Sequence, residues 1–269
     1  METLSGWFEQ FLFGGMEQGS SVQALTVIGS GGKTSLVWLL ARCLAHGQAV
    51  RPVYGGRKIL VTPASKMLLP AAGEQLFDRF CNGTPGAALP GVTLAGRFNE
   101  ASGKLESLEP PVLERIAPGY DLVLVEGDGS KGLPLKGWAE HEPVVPQCTA
   151  ATVGVIPLWP LGRPASSAII HRLPLFCALS GAEPEELLGA AHIAAVICGF
   201  RQHGEAVPAK SLFSAARGKK ILFFNQIENE TAMRYAQEVT ALLPPAFCSG
   251  LEHIIAGSVR ENSVRKIVR

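Results

Sequence analysis

The sequence predicts an α/β fold of three layers, a mostly parallel central sheet with helices on both faces. Three observations predict it. Short β-branched apolar runs alternate with longer segments of helical period, the pattern of strands joined by crossover helices. One run, residues 122–125 (LVLV), is apolar at every position, as expected of a strand covered on both sides. The first run passes through glycines straight into a helix-period segment, which is a strand–turn–helix.

The elements follow in order. Residues 24–28 (ALTVI) predict the first strand and residues 35–46 (SLVWLLARCLAH) the first helix, with Gly47 placed to end it. Residues 59–62 (ILVT) are a second strand, from which Pro63 turns the chain away. A weaker strand at 91–95 precedes a polar, hairpin-like stretch around 99–104, and then comes the strand 122–125. Residues 152–157, 220–224 and 253–257 predict three more strands, with helical spacing at 184–198 and 230–243. Residues 127–146 (GDGSKGLPLKGWAEHEPVVP) are too rich in Gly and Pro for a regular element. They follow the best strand directly, and loops at the carboxyl ends of strands in open α/β sheets are where ligands bind. No repeat and no interdomain linker is visible, so 1–269 reads as a single domain, with 1–20 as a peripheral N-terminal segment.

Composition excludes several classes. The 269 residues are 47% apolar and 17% charged, which rules out intrinsic disorder. A formal net charge of +1 gives no basic excess for nucleic acid. Of the six cysteines the closest two, Cys177 and Cys198, stand 21 positions apart, so there is no CxxC zinc or redox motif. Reduced, mostly buried thiols point to the cytoplasm. Glu2 and Glu9 and the lack of a basic stretch argue against a signal peptide, and no run reaches the ~18 apolar residues of a membrane span. The expectation is a soluble protein with no membrane partner. Its high apolar fraction and low charge suggest an association surface, and with it a homo-oligomer.

The chemistry is carried by Gly29-Ser30-Gly31-Gly32-Lys33-Thr34-Ser35, between the first strand and the first helix. A phosphate-binding loop needs small residues so that successive backbone N–H groups converge on oxygens. It also needs a helix N-terminus that favours an anion, a Lys that reaches the β/γ phosphates and a hydroxyl for Mg²⁺. All are present, which makes the predicted fold P-loop NTPase-like. The full spacing would put a Gly at position 27, where Val27 stands, so the loop is the shorter GxxGK[ST]. The plain alternative is a Gly-rich turn that binds nothing, with Lys33 as a surface charge.

Further oxygens for Mg²⁺ are expected from an acidic strand end. Glu126 closes the run LVLV and Asp128 follows two residues on, so Thr34, Glu126 and Asp128 are the candidate metal ligands. An Asp-Gly-Ser turn in solvent is the alternative. After the strand 220–224 stands Asn225-Gln226-Ile227-Glu228, in the place where guanine-specific GTPases carry Asn-Lys-x-Asp. It places Asn225 near a base without specifying guanine. A loop Asn ending a strand is the alternative.

Lys131 and Lys136 flank the acidic loop and would stabilise charge on a transferred phosphoryl group, unless both are solvated. In Glu140-His141-Glu142, His141 is a candidate acid/base or contact residue, with plain exposure as the alternative. Arg172, beside His171 at a helix start, would reach an anionic substrate if it is not a surface charge. Lys66 stands after the second strand in a switch-like position.

The runs VIGSGGKTS, VTPASKM, DLVLVEGDGSKGLPLKGWAEHEPVVP, HRLPLF and FFNQIEN resemble the YqeC family over most of the chain, the run 126–146 being the specific part. The family usually has Ala where Gly127 stands, an exchange expected to change little. It has Thr-rich residues at 63–65 and an Asp at Glu228. The resemblance implies an accessory protein of selenium-dependent molybdenum hydroxylases, with a P-loop fold and a role in maturing or supplying a selenium-containing molybdenum cofactor. It names a pathway and no reaction. Gly29, Gly32, Lys33, Thr34 and Glu126 are also similar to the short loop and strand-end Glu of the Mur-type ligases, whose separate C-terminal domain has no counterpart here.

The expected function is an Mg²⁺-dependent NTPase or phosphoryl/ligase-type enzyme using ATP or GTP. In that reading Gly29, Ser30, Gly31, Gly32, Lys33, Thr34, Ser35 and Asn225 bind the nucleotide, while Lys33, Glu126, Asp128, Lys131 and His141 act in catalysis. The rivals are a nucleotide-gated delivery protein, with a molybdenum hydroxylase or cofactor-maturation protein as partner, and a degenerate scaffold.

Overall fold

Helix α1 (Leu4–Phe13) comes first in the computed structural model, which describes residues 2–14, 23–46, 56–71, 73–200 and 210–268. Strand β1 (Gln23–Gly29) then leads into α2 (Lys33–His46), followed by β2 (Lys58–Pro63) and β3 (Lys66–Leu68). Strands β4 (Arg79–Asn82), β5 (Gly91–Asn99) and β6 (Lys104–Glu106) precede α3 (Pro110–Ile116) and β7 (Leu122–Glu126). Next come β8 (Leu135–Lys136), β9 (Thr149–Pro157), β10 (Ile170–His171), α4 (Leu173–Ser180) and α5 (Ala190–Cys198). The remainder is β11 (Lys219–Asn225), α6 (Glu230–Leu242), α7 (Pro245–Ser249), β12 (His253–Ser258) and β13 (Ser263–Val268).

Eight strands run parallel in the order β12-β11-β9-β1-β7-β2-β5-β4. Antiparallel β13 closes the β12 edge, and the end of β5 turns into an antiparallel pairing with β6 and then β3. The fold is therefore α/β with a mostly parallel sheet and helices on both faces. β1 lies between β7 and β9, so the loop that ends it opens at the carboxyl ends of the central strands.

Both faces of the sheet are apolar because both are covered. Leu25, Val27, Ile59, Val61, Leu122 and Leu124 meet Leu36, Leu40 and Leu44, the inward stripe of α2. On the other face Ile28, Ile156, Leu222 and Phe224 meet Phe176, Leu179, Ile193 and Val196 from α4 and α5. A third cluster seats Leu113 of α3 against Leu60, Val123 and Val125. Each such side chain contributes about 1.5–3 kcal/mol when fully buried. This packing fixes the strand ends to which the site is attached.

Several elements differ from expectation. Where the sequence suggested a peripheral N-terminal segment, residues 4–13 form α1, whose Leu4, Phe8 and Leu12 are buried in the same cluster as α2. Its Glu9 pairs with the buried Arg57 at 2.7 Å. Only 190–198 of the expected helix 184–198 is helical, because Glu185 takes φ +65° and the chain enters α5 through Gly189. Gly47, the expected helix stop, lies outside the described residues. Among the described residues no helix is long and apolar enough to cross a membrane.

Candidate functional site

Three glycines shape the loop after β1. Gly29, Gly31 and Gly32 take φ of +100°, +66° and +123°, a region L side chains rarely enter. A Cβ on Gly31 would lie 2.2 Å from the Pro157 ring, and one on Gly32 2.2 Å from Asn225 Nδ2. The Ser30 N–H donates to Val155 O at 3.0 Å and the Gly29 N–H to Asp128 Oδ1 at 3.0 Å, which pins the loop to its neighbours. Past that point the donors stop being used. The main-chain N–H groups of Gly31, Gly32, Lys33, Thr34 and Ser35 meet no protein acceptor among the described residues, and the first bond of α2 is Leu36 N–H to Gly32 O. Unpaired amides at the positive end of a helix dipole form an anion cradle. Ser30 Oγ is also buried without a partner. Lys33, buried, folds back over the loop, with Nζ 2.8 Å from Gly29 O and 3.6 Å from Asp128 Oδ1.

The two carboxylates at the end of β7 are used differently. Glu126 is buried and accepts only the Thr34 hydroxyl, shared between its oxygens at 2.9 and 3.1 Å. Burial pushes its carboxyl above the usual range, against the charge of Lys33 and the Thr34 hydrogen bond. Asp128 has no exposed surface and both of its oxygens are engaged. Oδ1 takes the Gly29 N–H beside Lys33, and Oδ2 takes Lys136 Nζ at 3.0 Å and Trp138 Nε1 at 2.8 Å. Lys136 is likewise saturated: its three N–H bonds go to Asp128 Oδ2, Gly129 O at 2.6 Å and Glu142 Oε2 at 2.8 Å. Arg172 grips Glu142 from outside, Nη1 to Oε2 at 2.5 Å and Nη2 to Oε1 at 3.3 Å. Burial alone would raise the Glu142 carboxyl, but the hydrogen bonds from Arg172 and Lys136 outweigh it and hold it below the ordinary range. Burial, with the charges of Arg172, Lys136 and Lys131, pushes His171 down. A chain of alternating charge thus runs Lys33–Asp128–Lys136–Glu142–Arg172, from the Gly-rich loop to the start of α4.

The structure brings together Lys33, Thr34, Glu126, Asp128 and Asn225. Asn225 is a brace: Nδ2 donates to Gly31 O at 2.8 Å and Oδ1 accepts the Val259 N–H at 3.0 Å. Lys131 and His141 are exposed, with no hydrogen bond or ion pair among the described residues, and do not join the cluster. Lys66 pairs with Glu106 on the β3–β6 strand pair. Sequence reasoning missed Trp138 altogether. The signal was a large aromatic with a polar N–H in a loop otherwise made of Gly, Pro and charge. Gly127 is also less neutral than expected, because a Cβ there would stand 2.7 Å from Ile28 Cγ2 and 2.9 Å from Val144 O.

Thr34 Oγ1 and the Glu126 carboxylate stand within hydrogen-bond distance of each other at the start of α2. Among the described residues no group of three or more His, Cys, Asp or Glu could hold a metal. Two hard oxygens suit Mg²⁺, which keeps waters and takes substrate phosphates rather than an all-protein cage. From Gly32 and Ser35 a cleft of about 930 Å³ runs between the flank of α2 and the tail of β11, where Gln226, Glu228 and Arg260 line it.

The family is shown by comparison with known proteins. The family model for the YqeC protein matches residues 25–174, more than half of the chain. That span takes in the Gly-rich loop, both carboxylates and the charge chain as far as Arg172. The chain is 28% identical over 247 residues to the uncharacterized protein YqeC of Escherichia coli (strain K12), an alignment covering 88% of each. No solved structure matches. The chain belongs to the YqeC family.

Proposed function

We propose that this member of the YqeC family binds a nucleoside triphosphate with Mg²⁺ and uses it in hydrolysis, phosphoryl transfer or ligation. One observation carries the reading: five consecutive unpartnered N–H groups, Gly31 to Ser35, at the start of a 14-residue helix whose first side chain is Lys33. The maturation of a selenium-containing molybdenum cofactor, or of its hydroxylase, is the setting supported by the family resemblance of the runs 27–35 and 126–146.

The residues act as follows. The amides of 31–35 receive the β and γ phosphates, and Lys33 exchanges Gly29 O for a phosphate oxygen. Asp128 holds the Gly29 N–H and stands beside the Lys33 ammonium, so the loop keeps its shape without rearranging as charge develops. Mg²⁺, held by Thr34 Oγ1 and Glu126, would neutralise phosphate charge. Burial raises the Glu126 carboxyl, so cation binding there would compete with protons and strengthen as pH rises.

The test is Lys33→Ala. Mg²⁺-dependent nucleotide turnover should fall by about a hundredfold or more, the usual cost of one preorganised donor to the reacting group. An unchanged rate overturns the reading.

A nucleotide-gated delivery role has one observation in its favour. The buried charge chain links the Gly-rich loop to the 127–146 segment and α4, so a phosphate that draws Lys33 away from Asp128 would be felt at Arg172. Turnover that stays slow until a molybdenum hydroxylase is added would favour gating over a free-standing enzyme.

A further inference from the structure

The cleft beyond Gly32 is lined at the tail of β11 by Asn225 and Glu228, the amide and the carboxylate of the run Asn225-Gln226-Ile227-Glu228. Guanine presents two adjacent donors there, N1–H and the exocyclic amino group, and selective recognition needs a carboxylate free to accept both. Glu228 is not free. Its Oε1 accepts the Ser258 hydroxyl at 2.9 Å and its Oε2 is ion-paired with Arg260. Asn225 is spent inside the protein, one arm on Gly31 O and the other on the Val259 N–H.

What the wall still offers is Gln226, exposed and held at φ +64° between β11 and Ile227, whose N–H is tied to Gly257 O. A carboxamide presents one donor beside one acceptor, the complement of an adenine edge. The cations Arg42 and Arg260 line the same cleft. Both are donors only, so they can meet acceptors on either purine and offer nothing to the paired N1–H and amino donors of guanine.

We propose that the site selects an adenine over a guanine nucleoside triphosphate, and that the Glu228–Arg260 ion pair is what excludes guanine. The proposal rests on the triphosphate reading of the Gly-rich loop.

The experiment is calorimetric titration of ATP and of GTP, each with Mg²⁺, into the wild type and three variants. ATP should bind about tenfold or more tighter than GTP, the discrimination expected when a donor pair finds no acceptor. Arg260→Ala frees the Glu228 carboxylate at an exposed position and should narrow that ratio by about fivefold, by strengthening GTP. Glu228→Gln breaks the pair without supplying a carboxylate and should leave GTP weak. Lys33→Ala should remove both nucleotides. Wild-type binding of GTP as tight as ATP, with both lost in Lys33→Ala, overturns the adenine assignment and leaves the triphosphate site standing. Binding of neither by the wild type overturns both. An unchanged ratio in Arg260→Ala overturns the role of the ion pair.

Discussion

Two carboxylates stand two residues apart at the end of β7 and live in opposite surroundings. Asp128 is enclosed by Gly29, Lys33, Lys136 and Trp138, with each oxygen engaged; Glu126, nearly as buried, has a single hydroxyl for company. The difference separates scaffold from site. A saturated buried charge has nothing left for a ligand, and its work is to hold its neighbours. An under-bonded one is costly to keep and is a candidate for a ligand. The same division runs through the backbone of the loop, where the Gly29 and Ser30 amides are bonded and the next five are bare.

Breaking the saturated half should therefore cost most. Asp128→Ala removes one partner of Lys136 and leaves its ammonium buried without it, beside an unpaired Trp138 N–H. Loss of one member of a buried pair costs about 3–5 kcal/mol, so denaturant unfolding should show a fall of that order. Glu126→Ala should cost far less. Equal losses would erase the distinction between the two carboxylates.

Gly127 lies between them, and the next effect in size belongs to it. Gly127→Ala would set a methyl 2.7 Å from Ile28 Cγ2, 2.9 Å from Val144 O and 3.0 Å from Thr26 Cγ2. Those neighbours are core and backbone, so the cost is about 1–3 kcal/mol, as for overpacking in general. Unfolding midpoints of the two proteins check it. A neutral exchange would mean that β7 shifts easily, and that the contrast between Glu126 and Asp128 depends less on fixed geometry.

The parallel sheet and the Gly-rich loop were legible because both are local. β-branched runs with glycine at their ends report strands and turns without reference to the rest of the chain. The pairing of Thr34 with Glu126 was legible from the strand–loop–helix context. The role of Lys136 was not, because a lysine in a Gly- and Pro-rich loop reads as solvated, and only the fold brings Asp128, Gly129 and Glu142 around one ammonium. Arg172 was invisible as a clamp for the same reason: its partner Glu142 lies 30 positions away. The helix α1 carried its own apolar pattern, but its burial depends on β13 and α2, to which no local signal points.

A smaller effect with a definite sign comes from Glu126→Gln. The folded-state pKa of Glu126 is raised, so the stability it contributes is present at low pH, below the ordinary carboxylate range. That contribution is lost as pH rises through the raised value. Cation binding needs the ionised form and should run the other way, strengthening as pH climbs through the same value. The Gln variant should flatten both trends. It should be more stable than the wild type by about 1 kcal/mol above that pH, as is common when a functional charge is removed. It should also lose the Mg²⁺-dependent rise in Tm. Thermal unfolding against pH, with and without Mg²⁺, measures both; a wild type whose stability grows through that range would reverse the sign.

The least effect is expected where a catalytic role had been anticipated from the sequence. His141 and Lys131 sit exposed on the 127–146 segment, outside the chain of buried charge. Their replacement should stay within about 0.5 kcal/mol in stability, the range of ordinary surface changes. Lys131 takes φ +52°, so the fair replacement is Lys131→Asn, which tolerates that backbone, rather than a residue that would add strain. His141→Ala and Lys131→Asn should both keep Mg²⁺-dependent turnover within about twofold, whereas loss of a positioned acid or base costs about a hundredfold or more. A loss of that size at either position would mean that the segment closes over the site when nucleotide is bound, and that the boundary between scaffold and site moves with the ligand.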